Sequence, residues 1–120
     1  MKKKICVFCG ASDGFKTIYS KLALKTGEII GENNFDLVFG GGGSGLMGTV
    51  ATGSKLKGAS IYGIIPKFLT NVETPMNEIN LTLTSTMHNR KALMYKLSSL
   101  FIVLPGGIGT LDECVEVLTL

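Results

Sequence analysis

The sequence has no tryptophan, only one histidine and only three prolines among its 120 residues, and it contains no long apolar run. A membrane-spanning helix needs about 20 mostly apolar residues. We therefore expect a soluble globular chain with no membrane partner. Its three cysteines, an odd number, argue against a disulfide framework. The lone histidine, His88, has no cysteine or carboxylate cluster at metal-ligand spacing around it, so the sequence predicts neither a metal site nor a cofactor.

Charge of either sign is scarce. Twelve basic and nine acidic residues give a formal net charge of +3, which is too small and too scattered to indicate a nucleic-acid surface but suits a small anionic ligand. The basic start Met1-Lys2-Lys3-Lys4 is similar to the first part of a signal peptide. Because Gly10, Ser12, Asp13 and Gly14 interrupt the apolar stretch that follows, we expect a cytoplasmic protein.

Cys6 and Cys9 form a C-x-x-C pattern inside an apolar segment that is typical of a strand. A spacing of three places their side chains on opposite faces of that strand, whereas a thioredoxin-type pair lies at the start of a helix. We therefore favour two small buried residues over a redox pair.

Apolar periodicity alternates along the chain between strand-like and helix-like segments. It predicts strands at residues 5–9, 36–39, 60–65, 81–83 and 100–104, and helices at residues 17–31, 46–57 and 87–97. Residues 67–78 have no clean period and predict a loop. Regular alternation with continuous apolar strands is typical of a Rossmann-like, doubly wound parallel sheet in a three-layer α/β/α fold. We expect one nucleotide-binding α/β domain over residues 1–120.

Turns rich in glycine follow three of these strands. In a parallel α/β sheet, ligands bind outside the carboxyl ends of the strands, so the turns that contain Ser12, residues 40–45 and residues 105–109 should rim one crevice. The glycine run could also be a dinucleotide fingerprint. However, it follows the second strand, and the ribose-binding acid expected about 20 residues later is missing, so we disfavour an NAD site.

The last of these turns has the most informative sequence. Residues 104–113 read LPGGIGTLDE and lie between the apolar run 100–103 and the helix-like residues 114–118. Glycines and a threonine at the start of a helix let backbone N–H groups contact an anion, and the helix dipole favours phosphate there. Glu113 follows one turn into the helix. A phosphate cradle beside a carboxylate indicates chemistry on a nucleotide or a sugar phosphate.

The third predicted helix begins with the residues MHNRK at positions 87–91. Neighbouring residues on a helix point about 100° apart, so at most one of Arg90 and Lys91 should face the crevice fully. Arginine suits a bidentate contact with phosphate. An ordinary solvated basic helix end is the alternative that charge alone favours.

Three motifs together resemble one family. Residues 41–48 (GGGSGLMG), 87–91 (MHNRK) and 105–113 (PGGIGTLDE), in this order and spacing, are similar to the cytokinin-activating phosphoribohydrolases, the Lonely Guy family, long mislabelled as lysine decarboxylases. The resemblance covers essentially the whole chain and favours a functional Arg90. It implies hydrolysis of the N-glycosidic bond of AMP or N6-prenylated AMP to free base and ribose 5-phosphate, by a homodimer or higher homo-oligomer.

The resemblance also implies the site. Glu113 and Arg90 match the family's catalytic pair. Residues that match substrate contacts are Ser12, Gly42, Gly43, Glu73, Met87, Arg90, Lys91, Gly106, Gly107, Ile108, Gly109, Thr110, Leu111, Asp112, Glu113 and Thr119. Breaking a ribosyl C–N bond passes through an oxocarbenium-like state that a carboxylate stabilises. Arg90 could act on the purine or on the phosphate, and the residue types leave both roles open.

The chain departs from the family at two points. Thr86 stands where family members usually have an acidic or amide residue, and the sequence stops at Leu120 inside a predicted helix, so we expect a chain truncated at its C-terminus. The alternative function is a non-catalytic carrier of a phosphorylated cofactor such as molybdopterin. Glu113 with Arg90 favours the enzyme, since a passive binder of an anion has no use for a carboxylate beside it. No Ser-x-His-Lys segment supports pyridoxal phosphate chemistry.

Overall fold

A computed structural model of the chain describes residues 2–9, 17–43, 45–72 and 74–104. Strands and helices alternate in it, as the sequence predicts. The elements are β1 (Lys4–Phe8), α1 (Thr17–Glu32), β2 (Asp36–Phe39), α2 (Gly45–Leu56), β3 (Ile61–Pro66), a short 3-10 helix (Lys67–Leu69), β4 (Asn80–Thr84), α3 (Met87–Leu97) and β5 (Leu100–Val103).

The described strands form one parallel sheet with the order β4-β3-β2-β1-β5. Each of the strands β2, β3 and β4 is added to the same side of its predecessor, and β5 then returns to the opposite edge beside β1. The strand order therefore reverses between β1 and β5, which is where ligands bind in doubly wound sheets. The predicted Rossmann-like fold class is confirmed.

The core has two layers, one on each face of the sheet. Helices α1 and α2 cover one face over a cluster that includes Ile5, Leu37 and Ile61. Helix α3 covers the other face, where Met94 packs with Phe8 and Val38. The central strand β2 is buried along its whole length, whereas all four residues of β5 and all five of β4 keep some exposure. This is the burial expected for central and edge strands of a parallel sheet.

The two described cysteines lie on opposite faces of the sheet. Cys6 is fully buried in the cluster under α3, whereas Cys9 is buried in the cluster under α1 and α2. The strand-face prediction is confirmed, and the separation of the two thiols argues against a C-x-x-C redox pair.

Helices α1 and α2 pack closely because glycines face the contact. A Cβ atom on Gly27 would lie 2.9 Å from the backbone nitrogen of Ser54 and closer still to the carbonyl oxygen of Val50. The Ser54 hydroxyl donates a hydrogen bond of 3.0 Å to the Gly27 carbonyl across the same contact. Gly53 lies against the backbone of α1 in the same way. The backbones therefore approach to a distance that no larger residue allows.

Substituting Gly27→Ala tests this close approach. Alanine at an unobstructed helix position stabilises a protein by about 0.4–1 kcal/mol relative to glycine, but here the added methyl group meets backbone atoms and should destabilise the fold by about 1–3 kcal/mol. Urea denaturation measures the change. Lys25→Ala, on the exposed surface of α1, is the matched control and should change stability by less than about 0.5 kcal/mol. A more stable Gly27→Ala protein would contradict the packing described.

Candidate functional site

The candidate site lies at the carboxyl edge of the sheet. The carboxyl ends of β2, β1 and β5 are neighbours there, and the Leu104 N–H, just past β5, donates to the Phe8 carbonyl at 2.9 Å. The three turns that the sequence predicts to rim one crevice therefore start from adjacent strands. Many of the predicted site residues lie outside the described residues: Ser12, Glu73, Gly106, Gly107, Ile108, Gly109, Thr110, Leu111, Asp112, Glu113 and Thr119. Gly42, Gly43, Met87, Arg90 and Lys91 lie within them.

Helix α3 begins at this edge because it follows β4. Thr86 caps it, since the threonine hydroxyl accepts a hydrogen bond of 3.0 Å from the Asn89 N–H. Arg90 then falls in the first turns of the helix, on the face that meets the sheet, and is only 5% exposed. The cap fixes the residue at which α3 begins, and with it the position of Arg90 in the helix.

Arg90 donates to the backbone of two neighbouring strands. Its Nε bonds the Ile64 carbonyl at 2.8 Å, and its Nη2 bonds the Gly40 carbonyl at 2.6 Å. Nη1 lies 3.7 Å from the sulfur of Met87. Phe39 and Gly63 form the last pair of the β2–β3 ladder, and Gly40 and Ile64 are the next residues along each strand. The guanidinium therefore bridges the point where β2 and β3 separate.

Residues 40–43, called the glycine turn below, leave β2 at this point. Gly41 has a φ of 86°, a conformation that residues with a side chain rarely adopt. The turn makes an isolated antiparallel bridge, Gly42 to Pro75. The Gly43 N–H donates to the Thr74 carbonyl at 2.9 Å, and the Met76 N–H donates to the Gly41 carbonyl at 2.9 Å. Residues 74–76 thus hold the glycine turn through backbone hydrogen bonds.

The rest of the MHNRK motif divides between core and surface. Lys91 and Met87 are half-buried, whereas His88 and Asn89 are exposed. Arg90 and Lys91 therefore differ in burial, as the helical angle between them predicts. Met94, one turn beyond Arg90, is buried at 2% exposure and belongs to the core.

The sequence placed Gly40 in a turn that rims the crevice, but it did not predict the contact of Gly40 with Arg90. It also did not identify the Ile64 carbonyl or residues 74–76 as parts of this site. Backbone carbonyls carry no side-chain signal, and the segment around Pro75 has no periodicity. The position of Gly40 directly after an apolar strand was the only available signal, and a Cβ atom there would lie 3.2 Å from Arg90 Cζ and closer still to Nη2.

Within the ranges that the structure describes, no group of three or more His, Cys, Asp or Glu side chains is arranged to hold a metal ion. No helix in those ranges is both long enough and apolar enough to cross a membrane.

Solved structures share this fold. A Moco carrier protein from Chlamydomonas reinhardtii superposes with a TM-score of 0.83 at 21% identity, over 99% of this chain and 72% of the other. The molybdenum cofactor binding protein of Rippkaea orientalis superposes with a TM-score of 0.84 at 23% identity, over 99% of this chain and 72% of the other. At these identities the likeness concerns the fold.

Curated proteins with similar sequences share a higher identity with this chain than these solved structures do. The cytokinin riboside 5'-monophosphate phosphoribohydrolase LOG2 of Arabidopsis thaliana is 47% identical over 118 residues, which are 98% of this chain and 55% of the relative. The cytokinin riboside 5'-monophosphate phosphoribohydrolase LOG of Oryza sativa subsp. japonica is 42% identical over 120 residues, which are 98% of this chain and 49% of the relative. The chain spans about half the length of the curated relatives it matches.

A family model with the description "Possible lysine decarboxylase" matches residues 47–120. That range begins within α2 and includes Arg90, residues 74–76 and the LPGGIGTLDE motif. With the relatives above, this match identifies the family that the motifs resemble. The chain belongs to the "Possible lysine decarboxylase" family, the Lonely Guy family of the phosphoribohydrolases.

Proposed function

We propose that this protein hydrolyses the N-glycosidic bond of a nucleoside 5'-monophosphate, AMP or N6-prenylated AMP, and releases the free base and ribose 5-phosphate. The relatives that support the proposal are named cytokinin riboside 5'-monophosphate phosphoribohydrolases, and they match 98% of the chain at 42–47% identity. The chain spans about half of their length, and the proposal concerns the activity of the whole protein.

One observation carries the proposal. Three segments that the sequence separates widely, the glycine turn, residues 74–76 and the start of α3, are joined by hydrogen bonds at the carboxyl edge. Glu73 directly precedes Thr74 in sequence, and the LPGGIGTLDE motif directly follows β5. These adjacencies support a substrate site at the carboxyl edge, the edge at which parallel α/β sheets bind ligands.

The proposed chemistry divides among these segments. Gly106, Gly107, Ile108, Gly109 and Thr110 are proposed to hold the 5'-phosphate through backbone N–H groups at a helix start. Glu113, one turn later, stabilises positive charge that develops on the ribose as the C–N bond breaks, or orients the attacking water. Arg90 is proposed as the second member of the catalytic pair, acting on the purine or on the phosphate. The remaining proposed contacts to the nucleotide are Ser12, Gly42, Gly43, Glu73, Met87, Lys91, Leu111, Asp112 and Thr119.

A carrier function is the second candidate, and the fold likeness to molybdenum cofactor carriers is the observation that favours it. A carrier binds a phosphorylated ligand without breaking a bond in it. Binding assays alone do not separate the two candidates, since both expect an anionic ligand at the carboxyl edge. Release of free base separates them.

The first test is to incubate the protein with AMP and with isopentenyl-AMP and to quantify free base by chromatography. We expect release from the native protein and a fall of about 10²–10⁴-fold in Glu113→Gln, because the amide cannot stabilise positive charge. Glu32→Gln, which neutralises an exposed glutamate at the end of α1, is the matched control and should retain full activity.

Two results would count against the enzyme. Equal release from the native protein and Glu113→Gln would remove the assigned role of the carboxylate. A folded native protein that binds AMP and releases no base would favour the carrier.

We further propose a cytoplasmic homodimer or higher homo-oligomer. The edge strand β4 supports self-association, since Leu81 and Leu83 lie on one face of it and are 40% and 46% exposed. Apolar side chains exposed together indicate a contact surface. Size-exclusion chromatography with light scattering should give at least twice the mass of one chain, and a single-chain mass at micromolar concentration would contradict the proposal.

A further inference from the structure

We propose that Gly48 and Gly63 are positioning residues of the nucleotide site. Because they have no side chains, the start of α2 and the strand β3 lie directly against the glycine turn, and these contacts set where the turn and residues 74–76 lie at the carboxyl edge. The effect on nucleotide binding rests on the proposed function, whereas the effect on the turn does not.

The contact between α2 and the glycine turn leaves no room for a side chain. Gly48 is buried, and a Cβ atom built on it would lie 2.6 Å from the Gly43 carbonyl carbon and closer still to the carbonyl oxygen. Two carbon atoms in favourable contact lie about 3.5–4.0 Å apart. Because the atoms of Gly43 belong to the main chain, no side-chain rotation relieves this contact, and either α2 or the turn would have to move.

Residues 74–76 hold the same glycine through backbone hydrogen bonds. The Gly43 N–H donates to the Thr74 carbonyl at 2.9 Å, and the Met76 N–H donates to the Gly41 carbonyl at 2.9 Å. A Cβ atom on Gly43 would lie 3.3 Å from Met76 Cα, so these two segments are also in close contact. A movement of Gly43 that clears space for a side chain at position 48 therefore strains the bonds to residues 74–76.

Gly63 leaves space for the turn on β3. A Cβ atom built on it would lie 2.9 Å from Gly41 Cα, and Gly41 is the residue whose positive φ of 86° makes the turn possible. The same Cβ atom would also lie 2.7 Å from the end of the Ile79 side chain. Neither Gly48 nor Gly63 is among the proposed substrate contacts, so each is expected to affect the nucleotide through the turn.

The position of the turn is important for a ligand because main-chain groups cannot adjust as side chains do. Gly42 and Gly43 are proposed to contact the nucleotide. A hydrogen bond weakens steeply when its distance or angle leaves a narrow range. A displacement of the turn by about 1 Å should therefore weaken nucleotide binding.

Gly53 provides a matched control on the same helix. A Cβ atom there would lie 2.5 Å from the Leu24 carbonyl oxygen and 3.1 Å from the Glu28 nitrogen. Gly53→Ala thus also forces main-chain atoms apart, but these atoms belong to α1. Gly48→Ala and Gly53→Ala therefore place similar obstructions at two points of α2, and only the first meets the glycine turn.

Amide hydrogen exchange measures the hold on the turn and needs no ligand. The reporting amides are Gly43 and Met76, whose hydrogen bonds join the turn to residues 74–76. We expect their exchange to accelerate by about tenfold in Gly48→Ala. In Gly53→Ala it should stay within about twofold of the native rates, because a loop opens locally and independently of the contact between α1 and α2. Native exchange at both amides in a folded Gly48→Ala protein would overturn the proposal.

Gly63→Ala keeps the test decisive if Gly48→Ala does not fold. It displaces the same turn from β3, and part of its obstruction is the end of the Ile79 side chain, which can rotate away. The same acceleration of about tenfold is expected at the Gly43 and Met76 amides. Native exchange in Gly63→Ala would overturn the proposal.

Calorimetric titration with AMP then tests the link to the nucleotide. Gly48→Ala and Gly63→Ala should each raise the Kd for AMP by about tenfold, and in the enzyme assay they should raise KM while kcat changes by a smaller factor. Gly53→Ala should bind AMP as the native protein does. A native Kd in Gly48→Ala, a loss of kcat at native KM, or an equal rise of Kd in Gly53→Ala would each overturn the proposal.

The two proposals fail separately. A native protein that neither binds AMP nor releases base contradicts the proposed function, and the exchange measurement still decides whether Gly48 and Gly63 position the turn. AMP binding and base release by the native protein, together with native exchange rates in the Gly48→Ala and Gly63→Ala variants, contradict the positioning proposal alone.

Discussion

The contact between the Arg90 guanidinium and the carbonyls of Gly40 and Ile64 is the constraint on which the carboxyl edge depends. Parallel strands that separate leave backbone acceptors without a ladder partner, and a buried acceptor needs a donor. Arginine supplies donors to both strands from one side chain. The start of α3, the end of β2 and the end of β3 are consequently held as one unit.

The fold places this unit next to the reversal of strand order. Helices α1 and α2 carry the chain from β1 to β3 on one face, and α3 carries it back to β5 on the other. The glycine contacts between α1 and α2 bring the two helices of the first layer close together, and Met94 packs α3 against the sheet in the second layer. Arg90 therefore holds the end of β2, the strand that pairs with β1.

Periodicity was sufficient to predict the elements but not the way in which they contact one another. The predicted helix at residues 87–97 matches α3 at both ends, and the faces of Cys6 and Cys9 followed from strand alternation. The partners of Arg90 were not predictable, because they are main-chain atoms about 26 and 50 residues away. The backbone hydrogen bonds between residues 74–76 and the glycine turn were not predicted, for the same reason. The proposed roles of Glu113 and of the LPGGIGTLDE motif derive from the family resemblance and concern residues outside the described ranges.

The most direct test of the central claim, that the carboxyl edge around Arg90 binds a nucleoside 5'-monophosphate, is a titration of the 15N-labelled protein with AMP followed by NMR. We predict that the amide shifts change at the glycine turn, at residues 74–76 and at the first turn of α3. The amide shifts at the amino ends of the strands, near Asn33 and Ser60, should stay unchanged. Shift changes concentrated at those amino ends, or no shift changes at saturating AMP, would contradict the claim.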